Sequence, residues 1–385
     1  MINSNEGLFR QPLKVAIAAG FMVVGLAACS QEEAPPTAEK AQAPTQIGGL
    51  DQTGPYDVVE GWFKPGIEGW DQPVIAVTVD NADRIFIGNA DQKATQPNSP
   101  MLSADGAVLE ERSTTSQKPA SEKTHAHQIM VLNGNGEVIE DWSQWDDTIV
   151  IPHNIEISPY DPERHLWVVD RDDHQIHKFT NDGKELVMTL GESGVPGTDE
   201  NHFNRPAGLA FLPDGSFYVA DGYVNSRIVK FDKDGNYLLE WGSKGTGPGQ
   251  FNLVHSVTID SQRRIYASDR SNHRVQVFDE NGAFIAEWTN VGSPTRVVVT
   301  EDNAVWIAEA DYNRIAKFDL NGHLQTYWGV TGDAPGAMDN PHSFAVDESG
   351  NLYVADAWNN RVQKFTPSEH ADKSRLIAPD FTFTK

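Results

Sequence analysis

A residue pattern that recurs along this chain limits its fold more than any other feature. The clearest copy reads Asn340-Pro341-His342-Ser343-Phe344-Ala345-Val346-Asp347, then Gly350-Asn351-Leu352-Tyr353-Val354-Ala355-Asp356, then Asn360-Arg361-Val362-Gln363-Lys364-Phe365. Equivalent copies open at Pro152, Pro206, Val254 and Pro294, so the openings from Pro152 to Pro341 stand 54, 48, 40 and 47 residues apart. A degenerate copy opens near Val74 with Val77-Thr78-Val79-Asp80 and Arg84-Ile85-Phe86-Ile87, which makes six. Within each copy, three short β-rich runs are divided by turn pairs such as Asp234-Gly235, Asn281-Gly282 and Asn321-Gly322, which favour hairpins. A fourth run ends in tryptophan or leucine, as in Tyr237 to Trp241, Phe284 to Trp288 and Leu186 to Leu190. Four antiparallel strands per repeat of this length predict an all-β, six-bladed β-propeller over residues 51–370.

The last copy lacks its fourth run after Phe365, and a spare one, Val58-Val59-Glu60-Gly61-Trp62, precedes the first copy. The N-terminal strand is therefore expected to complete the last blade and close the ring, which leaves no exposed strand edge and fits a monomer. Gly88 to His125 interrupts the first copy with polar, aperiodic sequence. Residues 88–126 are expected to form a long insertion loop, a lid or an idle excursion.

The two ends of the chain read differently. Arg10 and Lys14 precede an uncharged apolar run from Val15 to Ala28, too short to cross a bilayer comfortably but suited to a signal-peptide core. Residues 1–28 are read as a lipoprotein signal peptide, because small residues lead into Cys29, the one cysteine of the 385 residues. Cys29 is the expected lipidation site, and residues 29–50, poor in large apolar side chains, the lipidated terminus and flexible tether. Residues 371–385 are read as a C-terminal tail. Ser30 after Cys29 points to the periplasmic face of the outer membrane in a Gram-negative envelope. The formal net charge of −25 repels phosphate backbones and argues against nucleic acid. It also argues against contact with anionic lipid beyond the anchor.

Aligning the repeats exposes one position that carries chemistry. The slot just after the opening Pro or Val holds Ile75, His153, Ala207, His255, Thr295 and His342. Histidine thus occupies blades two, four and six, which lie about 120° apart around a six-bladed ring. Three imidazoles converging at one channel mouth form a tri-nitrogen metal site, suited to zinc with an open fourth position, while nickel, copper and iron(II) accept the same ligands. The loops after the second strands share that face and carry Asp170-Arg171, Asp221-Gly222-Tyr223, Asp269-Arg270, Glu309-Ala310 and Asp356-Ala357. The repeated acid reads as a turn residue that accepts backbone N–H groups. The residue after it varies: Arg171 and Arg270 suit a carboxylate, and Tyr223 suits proton transfer beside a metal.

These residues resemble the NHL repeat, and the whole resembles the peptidyl-α-hydroxyglycine α-amidating lyases from Ile151 to Phe365. The most specific segments are Pro196-Gly197-Thr198-Asp199-Glu200-Asn201-His202-Phe203 and Asp221-Gly222-Tyr223-Val224-Asn225-Ser226-Arg227-Ile228-Val229. The resemblance implies an NHL-type propeller with zinc on His153, His255 and His342, Tyr223 as catalytic base and Arg270 near the substrate. It also implies a structural calcium touched by the backbone carbonyls of Val77 and Ile155. The chain departs from the family in three places. Ser343 stands where the acidic calcium ligand is expected, Ala90 near the place of a first-blade arginine, and Val224 where a bracing cysteine would be. Arg171 is the candidate for the missing cation.

The reading that follows is a metal-dependent lyase acting on a small-molecule or peptide substrate. It would cleave a peptidyl- or N-acyl-α-hydroxyglycine to an amide and glyoxylate. The alternative is a non-catalytic propeller that serves as a binding scaffold for an envelope protein. A lactonase-like hydrolase lacks the acidic ring it would need.

Overall fold

The computed structural model describes residues 52–90, 101–102, 108–110, 126–380 and 382. The expected signal peptide, Cys29, the expected tether and most of the 88–126 insertion lie outside the described residues. Six four-stranded antiparallel sheets follow one another as blades. Their inner strands are Val74–Asn81, Pro152–Ile157, Gly208–Phe211, Val254–Ile259, Pro294–Val299 and Pro341–Val346.

Sequence pattern tracks depth in the blade. Second strands such as Phe217–Asp221 and Leu352–Asp356 are buried at every residue, because neighbouring blades cover both faces, and they read as nearly continuous apolar runs. Outer strands such as Tyr237–Trp241 alternate between partly buried and exposed, the two-residue period of a half-covered strand.

The hairpin turns also join the blades to one another. Asp279 Oδ1 accepts the N–H groups of Asn281 and Ala283 at 2.9 and 2.8 Å, and Asp319 does the same for Asn321 and His323. Gly282 then takes a φ of +86° that side chains resist. It needs to be glycine for a second reason, since a Cβ there would lie 2.5 Å from the Trp241 ring of the preceding blade. The same contact recurs around the ring. Gly183 meets Trp142, Gly235 meets Leu190, Gly322 meets Trp288 and Gly54 meets Trp328, while Gly136 meets the backbone carbonyl of Trp62 first and its ring at 3.0 Å. The tryptophan or leucine at the end of each outer run is a wedge seated on the next blade's turn.

Closure occurs at the blade the sequence indicates, two residues earlier than expected. Tyr56–Val58 pairs antiparallel with Arg361–Pro367, with Val58 opposite Phe365. One further bond runs from the Val59 N–H to the Lys364 carbonyl at 2.9 Å. The ladder stops there because Gly61 turns the backbone away at a φ of +63°. Trp62 still reaches the wedge position. It is 5% exposed, lies 5.2 Å from the Tyr353 ring and donates its indole N–H to the Gly134 carbonyl at 2.9 Å.

The segment after Pro367 is stitched to the ring. The Ile377 N–H donates to the Tyr56 hydroxyl at 2.8 Å, the Glu301 N–H donates to the Pro379 carbonyl at 3.0 Å, and Thr300 pairs with Asp380. Of the insertion, Met101–Leu102 and Val108–Glu110 form a two-stranded antiparallel pair.

Trp62→Ala removes the wedge at the seam. The expected loss is about 3–5 kcal/mol of unfolding free energy, read from urea melts followed by far-ultraviolet circular dichroism. A midpoint equal to wild type would show that the seam does not depend on this side chain.

Candidate metal centre

The histidine slot is a backbone irregularity as well as a sequence position. In five inner strands the pairing register slips across it, between Val74 and Ala76, Pro152 and Asn154, Val254 and Ser256, Pro294 and Arg296, and Pro341 and Ser343. A bulge bends the strand and re-aims the extra residue, and here it aims that residue at the axis. His153, His255 and His342 are consequently buried, with ring centroids 4.7–4.8 Å apart in every pairing. One ligand nitrogen from each lies within 4.8 Å of the others.

The remaining slots orient the rings. His153 Nδ1 lies 2.8 Å from the Ala207 carbonyl, His255 Nδ1 2.6 Å from that of Thr295, and His342 Nδ1 2.7 Å from that of Ile75. A carbonyl only accepts, so each Nδ1 carries the proton and each Nε2 keeps a lone pair. This is the arrangement by which an outer hydrogen bond fixes the tautomer of a metal-binding histidine. Ile75, Ala207 and Thr295 carry no metal-binding side chain, yet their backbone sets the geometry of the triad. No residue-type signal could have revealed that.

Electrostatics keep the imidazoles neutral. Burial, then the neighbouring His342 and Arg171, hold His153 well below the ordinary histidine value. Burial and its two histidine neighbours do the same for His255. Burial and Arg270 push His342 down to about 3. At neutral pH three lone pairs therefore converge from three sides. That set suits a divalent metal bound without proton release and with a fourth position left open.

Tyr223 stands over this position. Its hydroxyl is 2.9 Å from His153 Nε2 and 3.1 Å from His255 Nε2. It is carried there by the turn after the second strand of blade three. Gly222 lets that turn press against the next blade, since a Cβ on it would lie 1.8 Å from the Val254 carbonyl oxygen. Asp221 anchors the turn by accepting from the Asn204 N–H at 2.9 Å, Asn225 at 2.7 Å and Arg227 Nε at 2.9 Å. The other repeated acids act alike: Asp170 accepts from Ile151, Asp269 from Asn252, Glu309 from Gly292 and Asp356 from Asp339. Each acid of blades three to six also pairs with the arginine that opens its third strand, Arg227, Arg274, Arg314 or Arg361. That partner escapes a reading confined to the turn.

Arg171 lies across the Tyr223 ring, 5.0 Å from its centroid, with its guanidinium on Asp172 at 2.9 and 3.2 Å. Arg270 is 7% exposed, and its charge contributes to the lowered pKa of all three histidines. The fold thus brings His153, His255, His342, Tyr223, Arg171 and Arg270 to one mouth.

The channel floor fits calcium poorly. Val77 and Ile155 occupy the ladder position of Val297, whose N–H turns to the inner edge and reaches Ser256 Oγ at 3.3 Å. In an extended strand their carbonyls turn to that same edge. Calcium also requires six to eight oxygens, carboxylates prominent among them. Ser343 supplies a hydroxyl at the expected acidic position, Glu156 is already paired with Arg296, and Asp380 carries its charge beside the same guanidinium.

With this geometry in hand, the relatives of the chain are informative. The NHL repeat family matches residues 338–365, and a family described as a 6-bladed beta-propeller matches residues 197–304. Human NHL repeat-containing protein 3 is 32% identical over 255 residues, covering 62% of this chain and 72% of that protein. The chain belongs to the NHL-repeat β-propeller family. Within that class it resembles the amidating lyases. A probable peptidyl-alpha-hydroxyglycine alpha-amidating lyase of Caenorhabditis elegans is 27% identical over 244 residues, or 61% of this chain and 68% of that one. Mouse peptidyl-glycine alpha-amidating monooxygenase is 30% identical over 257 residues, and the chain spans only 26% of its length. The solved streptogramin B lyase structure superposes with a TM-score of 0.52 at 14% identity, over 81% of this chain and 98% of that one, a likeness of fold alone.

Elemental analysis of the purified protein is expected to find about one equivalent of a divalent transition metal. The His153→Ala/His255→Ala/His342→Ala variant should hold none while keeping its β-sheet circular dichroism. Equal metal in both would remove the triad as the binding site.

Proposed function

We propose that this protein is an exported, metal-dependent carbon–nitrogen lyase that cleaves a peptidyl- or N-acyl-α-hydroxyglycine to an amide and glyoxylate. The observation that carries the reading is the Tyr223 hydroxyl, set within hydrogen-bond reach of two inward-facing Nε2 atoms of the triad. The relatives named for amidating lyase activity support it. So do Arg171 and Arg270, whose charges bear on the same imidazoles.

Zinc held by His153, His255 and His342 would polarise the substrate hydroxyl as a Lewis acid. Arg270 binds the substrate carboxylate and sets the α-carbon over the triad. Tyr223 takes the proton from the hydroxyl as its oxygen becomes the carbonyl of glyoxylate, the C–N bond breaks, and the amide nitrogen receives a proton in return. No water is consumed, so the balance needs one group able to accept and give back a proton. Arg171, stacked on the phenol and tied to Asp172, holds the ring at its working tilt. Lipidation at Cys29 would hold the enzyme on the periplasmic face of the outer membrane, with the propeller displayed at the end of its tether.

Tyr223→Phe is expected to lower kcat for glyoxylate release from α-hydroxyhippurate by about 10²–10⁴-fold with unchanged metal content. Arg270→Ala should act mainly by raising KM. Full turnover in Tyr223→Phe would remove the tyrosine from the chemistry, and metal without any glyoxylate in the wild type would sink the substrate assignment.

A further inference from the structure

Immediately below the triad the channel narrows to a cavity lined by His153, Asn154, Ser256, Arg296, His342 and Ser343. Arg296 projects from the inner strand of blade five, Pro294–Val299, and Glu156 from that of blade two, Pro152–Ile157. Blades two and five stand opposite each other in a six-membered ring. The hydrogen-bonded ion pair between Arg296 Nη1 and Glu156 Oε1 therefore crosses the channel from wall to wall. Their side chains are only 11% and 14% exposed. Asn154 adds a second donor to Glu156 Oε1 at 3.2 Å, so the carboxylate is held from both sides of the axis.

The surrounding polar atoms are left with capacity to spare. Ser343 Oγ, Asn154 Oδ1 and Arg296 Nε are buried without a hydrogen-bond partner in the protein. Two of the three are acceptors facing a cavity that already contains a guanidinium. A buried cation is tolerated only when paired and surrounded by acceptors, and this cavity supplies both. A divalent ion in the same space would meet a fixed positive charge at short range in a low dielectric. It would also have to displace Arg296 from its carboxylate.

We propose that Arg296 is the resident cation of the channel, pinned across the ring by Glu156, and that the channel floor of this chain binds no calcium. The side chain closes the axis beneath the triad and ties blade two to blade five, a link that no strand pairing makes among the described residues. The assignment goes beyond the lyase reading and stands whether or not the triad carries zinc.

The test uses the full folded protein with its triad metal in place. Equilibrium dialysis against radioactive calcium is expected to show no saturable binding, and the melting midpoint should be the same with and without added calcium. A double-mutant cycle supplies the second arm. Glu156→Gln takes from the buried guanidinium its hydrogen-bonded carboxylate, leaving only the neighbouring Asp380, and Arg296→Met strands a buried carboxylate, so each single variant should melt roughly 5–10 °C lower. The Glu156→Gln/Arg296→Met protein should recover part of that loss. Stoichiometric calcium that raises the wild-type midpoint overturns the proposal, and this arm decides even where a single variant fails to fold. Single-variant losses that simply add in the double variant overturn it as well, because an uncoupled pair would not be fixing the cation.

Discussion

Closure of the ring by Tyr56–Val58 against the last blade is the constraint on which everything else depends. Inner strands in alternate blades bring three imidazoles within 4.8 Å of one another only when the six blades complete a circle. An open arc would splay them and leave an unpaired edge. The join is two-layered. Backbone hydrogen bonds hold the strand, and outside them a wedge residue of each blade sits on a glycine turn of the next, with Trp62 on Gly136 at the seam. Because the wedges repeat six times, the outer packing of each blade is passed round the ring to the seam.

Charge is distributed against the average of the chain. The protein carries a formal net charge of −25, yet Arg171, Arg270 and Arg296 gather along the axis. Arg171 and Arg270 raise the cost of protonating the buried neutral histidines, and the lone pairs stay available to a metal. The three arginines set a local positive charge within a chain that is strongly acidic overall. Two of them keep a carboxylate partner, Arg171 with Asp172 and Arg296 with Glu156. The repeated acids lock backbone turns, and Glu156 crosses the channel to Arg296 while accepting from Asn154.

The histidine triad was legible because it is written in the repeat. His153, His255 and His342 occupy one slot in alternate copies, and a repeat fold converts an equal slot into an equal radial position. Tyr223, Arg171 and Arg270 were legible for the same reason, since strand order alone places their loops on the histidine face. The bulge that turns the slot toward the axis was not legible, because it is a property of pairing between strands. Nor were the carbonyls of Ala207, Thr295 and Ile75, since every residue has one and only the assembled ring decides which meets an imidazole. Trp62 was assigned to the closing strand on its residue type. It keeps the wedge role of that position but leaves the ladder, because Gly61 turns the backbone first.

By itself the sequence determined the number of blades, the place of closure and the identity of the converging histidines. All three follow from local periodicity counted along the chain. The tertiary structure decided which nitrogen of each histidine faces inward, where the phenol of Tyr223 comes to rest, and what occupies the channel floor. Those depend on contacts between groups far apart in the chain, such as Arg296 with Glu156 and His342 with Ile75. Such contacts exist only after the ring has closed, and no local pattern encodes a distance across it.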